Sequence, residues 1–178
     1  MAILLGITGF KNTGKSEIRK YLVQTYGFAF RPMAEPIKNM LQVGLGLTDE
    51  EVSGPLKDLP CEALLGATPR LAMETLYVEW GRMMIHDDLW FFHWRKKVDA
   101  EGRNTVADDV RAPAAAATIR KSNGKIIRVV REGRLGSSSR SEQEMESITP
   151  DYTITNNGNI ADLRKAVDTA MRSLGYTR

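Results

Sequence analysis

The sequence predicts an α/β fold in which a parallel sheet carries helices on both faces. Short apolar runs rich in branched residues alternate with segments of helical periodicity, which is the pattern of strand–helix–strand units. The first apolar run ends in a glycine turn, and no linker or internal repeat divides the 178 residues. A chain of this length fits one domain with a sizeable core, so we expect a single domain over residues 1–178.

Each predicted element follows from the local pattern. The five predicted strands are apolar runs at residues 2–8, 28–30, 104–107, 125–130 and 152–155. The predicted helices have apolar residues at helical spacing and cover residues 15–26, a segment from Pro36, 68–86, 88–98, 113–120 and 160–174. Thr68 followed by Pro69 is typical of a helix start. Residues 44–67 are predicted to be irregular, and the polar residues 131–149 are predicted to form a flexible loop.

Composition excludes several classes of protein. The formal charge of +3, from 25 Lys and Arg against 22 Asp and Glu, is too small to indicate a nucleic-acid-binding protein by itself. A small positive charge suits a protein with a pocket for anionic ligands, provided that several arginines converge on that pocket. Cys61 is the only cysteine, which excludes an intrachain disulfide and fits a reducing compartment. Without a signal peptide or an apolar run of roughly 18 residues, we expect a cytoplasmic protein with no membrane partner. A homodimer stays open.

Residues 9–16 read GFKNTGKS and match the phosphate-loop pattern G-x-x-x-x-G-K-[ST]. The glycines allow backbone N–H groups to surround a phosphate at a helix N-terminus, and a strand and a helix are predicted on either side. Lys15 would reach the β- and γ-phosphates, and the Ser16 hydroxyl would bind Mg²⁺. The predicted phosphate-binding residues are Gly9, Lys11, Asn12, Thr13, Gly14, Lys15 and Ser16. The motif predicts a bound nucleotide without fixing the reaction.

A second candidate group, Asp108-Asp109-Val110-Arg111, follows the third predicted strand. Ligands of parallel sheets bind outside the carboxyl ends of the strands. An aspartate there can therefore bind Mg²⁺, and Arg111 can pair with a phosphate of either substrate. The alternative is a solvated acid beside a surface arginine.

Arginines at separate places could neutralise phosphate charge: Arg70, Arg111, Arg131, Arg134 and Arg140. Arg131 ends an apolar strand and begins the polar loop that carries Arg134 and Arg140. A loop of this kind over a phosphate site is typical of a lid, because closure excludes water from the transfer. We therefore predict a lid at about residues 131–149, while ordinary surface arginines are the alternative.

The segment between the second and third strands, residues 34–98, is predicted to be a helical insert with several aromatic residues. Trp90 is a weak candidate for stacking on a base, and Trp94 is predicted to be core. His86 and His93 have no nearby carboxylate in metal-ligand spacing except Asp87 and Asp88, and they are predicted to be structural or surface residues. No Ser-His-Asp or Cys-His arrangement is persuasive.

These stretches together resemble the bacteriophage deoxynucleoside monophosphate kinases, distant relatives of adenylate and thymidylate kinases. The matching stretches are GFKNTGKS (9–16), AEPIKNML (34–41), TPRLAMETLYVEWGR (68–82), DDLW (87–90), VADDVR (106–111), GKIIRVVREG (124–133) and DYTITNNGNIADL (151–163). The resemblance implies the P-loop kinase fold. It has three α/β/α layers around a mainly parallel five-stranded sheet, with a helical acceptor-binding insert and a short lid.

The resemblance also implies residue roles and the cofactors ATP and Mg²⁺. Lys15 and Ser16 would hold the ATP phosphates and the metal, and Asp109, a further metal ligand, would lie between donor and acceptor with Arg111. The implied catalytic residues are Lys15, Asp109, Arg111, Arg131 and Arg70. The implied acceptor-binding residues are Lys38, Arg70, Trp90, Asp109 and Arg111. Arg131, Arg134 and Arg140 would belong to the lid, and Asn156 and Asn157 would lie beside the adenine.

Two motifs depart from the family. Residues 139–142 read SRSE where the family's lid often has H-x-[ST]-E, and residues 112–115 read APAA where it commonly has F-P-N-E. Both departures fall in segments expected at the lid and at the acceptor. The motifs expected to bind ATP match the pattern of the family.

Three functions are compatible with these features. The first is transfer of the γ-phosphate of ATP to a deoxynucleoside monophosphate, a small-molecule acceptor. The second is phosphorylation of a hydroxymethylated pyrimidine, in DNA or as a nucleotide, with Asp109 or Asp108 as the base. The third is a nucleotide-binding switch without catalysis, against which the arginine-bearing loop argues.

Overall fold

The chain is described by a computed structural model that covers residues 2–133 and 140–176. Within these residues, five strands form one parallel sheet in the order β2-β3-β1-β4-β5. The strands are β1 (Leu4–Thr8), β2 (Ala29–Phe30), β3 (Thr105–Ala107), β4 (Lys125–Val130) and β5 (Tyr152–Thr155). The α-helices of the described residues are α1 (Lys15–Tyr26), α2 (Glu35–Leu45), α3 (Asp49–Val52), α4 (Pro69–Thr75), α5 (Leu89–Glu101), α6 (Pro113–Arg120), α7 (Arg140–Glu146) and α8 (Ile160–Ser173). The predicted fold class is confirmed.

Helices cover both faces of the sheet. On one face, α1 and α8 bury a continuous apolar cluster that includes Ile7 of β1, Ile18 of α1 and Val167 of α8. On the other face, α6 lies directly against β1, because a Cβ added at Gly6 would meet Ile119 Cδ1 at 2.7 Å. Since all five strands are parallel, their carboxyl ends meet at one edge of the sheet. The phosphate loop and the Asp108-Asp109 segment both follow strands at this edge.

The chain divides into two compact units. The sheet unit comprises residues 1–33 and 97–178, and the helical unit comprises residues 34–96, nearly the bounds of the predicted insert. The helical unit contains α2, α3 and α4, and α4 continues as a π-helix over Leu76–Ile85. Its small core includes Leu41, Leu47 and Val52.

Local capping explains where the helical unit agrees with the prediction and where it differs. The Thr68 hydroxyl accepts a hydrogen bond from the Leu71 N–H at 3.2 Å, which confirms the predicted helix start. Residues 44–67 are less irregular than predicted. Thr48 and Glu51 form a reciprocal capping box that begins α3, and single 3₁₀ turns follow at Pro55–Asp58 and Glu62–Leu64.

The prediction of a loop throughout residues 131–149 was wrong, because α7 forms within it. The Arg128 guanidinium, projecting from β4, donates to the Met145 carbonyl at 3.0 Å and also to the Ile148 carbonyl. A cation at these last carbonyls stabilises the end of a helix. The polar composition of the segment gave no sign of this distant partner. No helix in the described ranges is long and apolar enough to cross a membrane.

Candidate active site

The phosphate loop has a backbone that only a few residue types tolerate. Gly9 and Gly14 have φ values of 140° and 107°. A Cβ at Gly9 would also lie 2.3 Å from the Val129 carbonyl oxygen, so the loop packs directly on β4. Gly14 is the N-cap of α1 and no side chain caps the helix there, so the first N–H groups of α1 are available to an anion.

Two side chains of the loop hydrogen bond to its own backbone. Lys15 Nζ donates to the carbonyl oxygens of Gly9 at 2.7 Å and Phe10 at 2.6 Å. Thr13 is buried, and its hydroxyl also donates to the Phe10 carbonyl at 2.9 Å. The Thr13 side chain therefore braces the loop, which differs from the expectation that it faces a phosphate. Lys11 is exposed.

A cavity of about 470 Å³ lies beside the loop. The predicted residues Asn12, Gly14, Lys15, Ser16, Arg131 and Asn156 line it together. The cavity is also lined by residues that sequence reasoning missed: Glu17, Gly158, Asn159, Ile160 and Leu163. They begin a helix or directly follow the last strand at the carboxyl edge of the sheet, and all but Glu17 fall in the matching stretch 151–163, in which the resemblance implies individual roles only for Asn156 and Asn157.

The two aspartates after β3 have different neighbours. The Asp108 carboxylate forms an ion pair with the Arg19 guanidinium at 3.4 Å, one turn along α1 from Lys15. Arg19 also lies over the Phe30 ring, 4.3 Å from its centroid. Asp109 Oδ1 instead accepts a hydrogen bond from the Met33 N–H at 2.7 Å. Both residues lie beyond Ala107, the last residue of β3, and their partners belong to different segments, α1 and the chain after β2.

Asp108 carries its charge in an unfavourable environment. Burial, followed by the neighbouring Asp109 carboxylate, raises the pKa of Asp108 above its usual value, and Arg19 and Lys15 partly offset this rise. A bound cation would offset the repulsion between the two carboxylates. Asp108 belongs to the candidate group that the sequence predicts after the third strand, but the residue roles implied by the resemblance gave the metal to Asp109.

Comparison with known proteins identifies the fold. No family model matches the chain. The chain is 27% identical over 176 residues to the "Putative deoxynucleotide monophosphate kinase" of Acanthamoeba polyphaga mimivirus, with 90% of this chain and 91% of the viral protein covered. Shikimate kinase from Aquifex aeolicus superposes with a TM-score of 0.55 at 13% identity, covering 97% of this chain and 98% of that enzyme. Dephospho-CoA kinase from Campylobacter jejuni superposes with a TM-score of 0.53 at 15% identity, with 98% of both chains covered.

The chain has the P-loop kinase fold. The similarity to the mimivirus protein also confirms the resemblance to deoxynucleoside monophosphate kinases. Within this fold, the cavity beside Lys15 lies where the loop after the last strand meets the phosphate loop.

The oxygen donors beside the P-loop fit a magnesium ion. Among the described residues, no group of three or more His, Cys, Asp or Glu side chains forms a metal site. Mg²⁺ in phosphoryl-transfer sites is typically held by one or two carboxylates together with substrate phosphates. The Ser16 hydroxyl and the Asp108 and Asp109 carboxylates have the hard oxygen chemistry that this ion prefers.

The predicted acceptor residues of the helical unit have partners within that unit. Arg70, which is exposed, is paired with the Asp58 carboxylate, and its Nη2 donates to Asp58 Oδ2 at 3.1 Å. Lys38 Nζ donates to the Ser53 hydroxyl at 2.9 Å.

Trp90 is placed differently from the expectation that it lies at an acceptor pocket. Its side chain is buried, and its indole Nε1 donates to the Tyr77 carbonyl at 3.1 Å. Gly81 packs against this indole so closely that a Cβ there would lie 2.1 Å from Nε1. Trp90 therefore contributes to the core and has little surface left for stacking on a base. Trp94 is buried, as predicted.

The remaining predicted residues are placed as follows. Arg111 is exposed, directly after the buried Val110. Asn156 is buried and Asn157 is exposed, both directly after β5. Arg134 lies outside the described residues, and for Arg140 the description is limited to its backbone at the start of α7.

Proposed function

We propose that the protein transfers the γ-phosphate of ATP to a deoxynucleoside monophosphate, giving the diphosphate. The observation that carries this proposal is the cavity in which the P-loop residues Lys15 and Ser16 meet Arg131 and the loop after β5. The name of the mimivirus relative supports the acceptor class. A monophosphate already presents a nucleophilic oxygen, so the site needs charge neutralisation more than a strong base.

The proposed roles follow from position in the sheet unit. The backbone N–H groups of the P-loop and the Lys15 ammonium would bind the β- and γ-phosphates, which requires Lys15 to exchange its carbonyl partners for phosphate oxygens. Ser16, with Asp108 and Asp109, would hold Mg²⁺. When bound, this ion neutralises charge that develops on the transferring group. Arg131 lines the same cavity and would contact the nucleotide.

On the acceptor side, the sheet unit offers Arg111, after β3, and the helical unit separately offers Arg70 and Lys38. Guanidinium groups bind phosphates through paired hydrogen bonds, so either Arg111 or Arg70 would suit an acceptor phosphate. Lys38 would add a point charge. Asp109 would orient the acceptor while its Oδ1 holds the Met33 backbone.

The experiment is a coupled assay with MgATP and a panel of deoxynucleoside and ribonucleoside monophosphates. We expect turnover with at least one deoxynucleotide, and Lys15→Met should lower kcat by about 10²–10³, because it removes a charge that stabilises the transition state. Lys11→Ala, in the same loop but exposed, should have a smaller effect. Circular dichroism checks that both variants fold.

Two results would contradict the proposal. The first is no turnover with any monophosphate while labelled phosphate is transferred to hydroxymethyluracil-containing DNA, which would establish the alternative acceptor. The second is tight MgATP binding with no transfer to any acceptor, as expected of a switch.

A further inference from the structure

The consecutive residues Asn156 and Asn157 follow β5 at the cavity beside Lys15. They contact the two other segments at this cavity, the P-loop and the chain around Arg131. The Asn156 side chain reaches the P-loop. Its Nδ2 donates to the Thr13 carbonyl at 2.8 Å, and the side chain is buried. A Cβ at Gly14 would lie 2.4 Å from the same Nδ2. The amide thus packs against the backbone that precedes Lys15.

Asn157 reaches the other segment, which begins at the end of β4. Its Oδ1 accepts a hydrogen bond from the Glu132 N–H at 2.9 Å, and its Nδ2 donates to Glu132 Oε2 at 3.3 Å. On the other side of Arg131, the Val130 carbonyl accepts a hydrogen bond from the Asn156 N–H at 2.8 Å. The backbone is therefore held on both sides of Arg131 by the same two asparagines.

The chemistry of the partners explains why both residues are amides. Asn156 faces a carbonyl oxygen, so its side chain must donate. Asn157 faces an N–H group and a carboxylate, and a side-chain amide supplies an acceptor and a donor at once. An aspartate at position 157 would keep the first contact and repel the Glu132 carboxylate.

We propose that Asn156 and Asn157 are positioning residues that fix Arg131 relative to Lys15 across the nucleotide cavity. This inference rests on the proposed function, because it concerns the same ATP site. It assigns the two asparagines a role in placing the catalytic groups, whereas the resemblance implied contact with the adenine. The Asn156 amide is already used by the P-loop, and the Asn157 amide by Glu132.

The test is a rescue experiment on Asn157 and Glu132. Both residues are exposed, so their substitution leaves the core untouched. Asn157→Asp should weaken MgATP binding, measured by calorimetry without acceptor, by about threefold to tenfold, the range for one lost hydrogen bond. In the Asn157→Asp background, Glu132→Gln should restore binding to within about twofold of the wild type, because the glutamine amide can donate to the new carboxylate. Thr153→Ala, an exposed position on β5, the strand that Asn157 follows, is the matched control.

Steady-state kinetics separate positioning from a structural role. Asn157→Asp should raise the KM for ATP and leave the acceptor KM and the melting temperature unchanged. The proposal is overturned if Asn157→Asp binds MgATP as the wild type does, or if Glu132→Gln fails to restore binding. It is also overturned if Asn157→Asp changes the preference for ATP over GTP, since that indicates direct contact with the base. A wild-type chain that does not bind MgATP would overturn the proposed function as well.

Discussion

The sheet unit and the helical unit hold their charged side chains in different ways. In the sheet unit, three polar side chains of the candidate site bond to backbone atoms: Lys15, Asp109 and Asn156. Asp108 is the exception, because it pairs with the Arg19 side chain. In the helical unit, Arg70 and Asp58 are paired side chain to side chain, with 44% and 56% of each side chain exposed. The polar side chains of the candidate site are thus held by the backbone of the sheet unit, whereas Arg70 is held by an exposed side-chain pair that a phosphate could replace.

The largest expected effect is at Asp108. Asp108→Asn should lower kcat by about 10²–10³, because it removes a carboxylate proposed to hold Mg²⁺ and leaves Arg19 without its carboxylate partner. Asp109→Asn keeps an oxygen that can accept from the Met33 N–H, so its fold should be retained and its loss of kcat should be smaller.

Steady-state kinetics at saturating MgATP, with melting temperatures as the control, distinguish the two variants. A larger loss of kcat in Asp109→Asn would show that the sequence-derived assignment of Asp109 describes the site better than the Arg19–Asp108 pair does.

The sequence predicts features that depend on neighbouring residues, and it misses those that depend on residues far away along the chain. The five strands and the P-loop were predictable because each depends on a local pattern: an apolar run, a glycine turn and a fixed spacing. Asp108 and Asp109 have different partners, Arg19 and the Met33 N–H, and both partners lie far away in the sequence. Asn156 reaches Thr13 across 143 positions, and Arg128 reaches the end of α7, so neither partner has a local signal.

In the helical unit, we expect an intermediate effect at Arg70. Arg70→Ala should raise the KM for the acceptor about 10- to 100-fold, the range for a hydrogen bond to a charged group, and leave the KM for ATP unchanged. Asp58→Asn is the matched control. It frees the guanidinium from its partner and should leave the acceptor KM equal or lower.

Initial-rate measurements with the preferred monophosphate test this prediction. An unchanged acceptor KM in Arg70→Ala would place the acceptor phosphate elsewhere and leave Arg111 as the remaining guanidinium candidate in the described part of the chain.

The smallest expected effect concerns Arg31 and Glu101, an arginine–carboxylate pair of the sheet unit that can be compared with Arg70 and Asp58 of the helical unit. Arg31 and Glu101 have 30% and 24% of their side chains exposed and make paired hydrogen bonds at 2.9–3.1 Å. Because this pair is less solvated, Glu101→Gln should lower the free energy of unfolding by about 1 kcal/mol at pH 7, and Asp58→Asn should lower it by less.

The contribution of Glu101 to the free energy of unfolding depends on pH with a defined sign. The hydrogen bond from Arg31 lowers the pKa of Glu101 below its ordinary value of 4.5. A carboxylate whose pKa is lower in the folded chain stabilises the fold above the unfolded-state pKa, and this contribution is lost as pH falls through the folded-state pKa. The difference between wild type and Glu101→Gln in urea unfolding should therefore be full above pH 4.5 and decline below it. A difference that stays constant through this range would mean that Glu101 stabilises the sheet unit by packing and not by its charge.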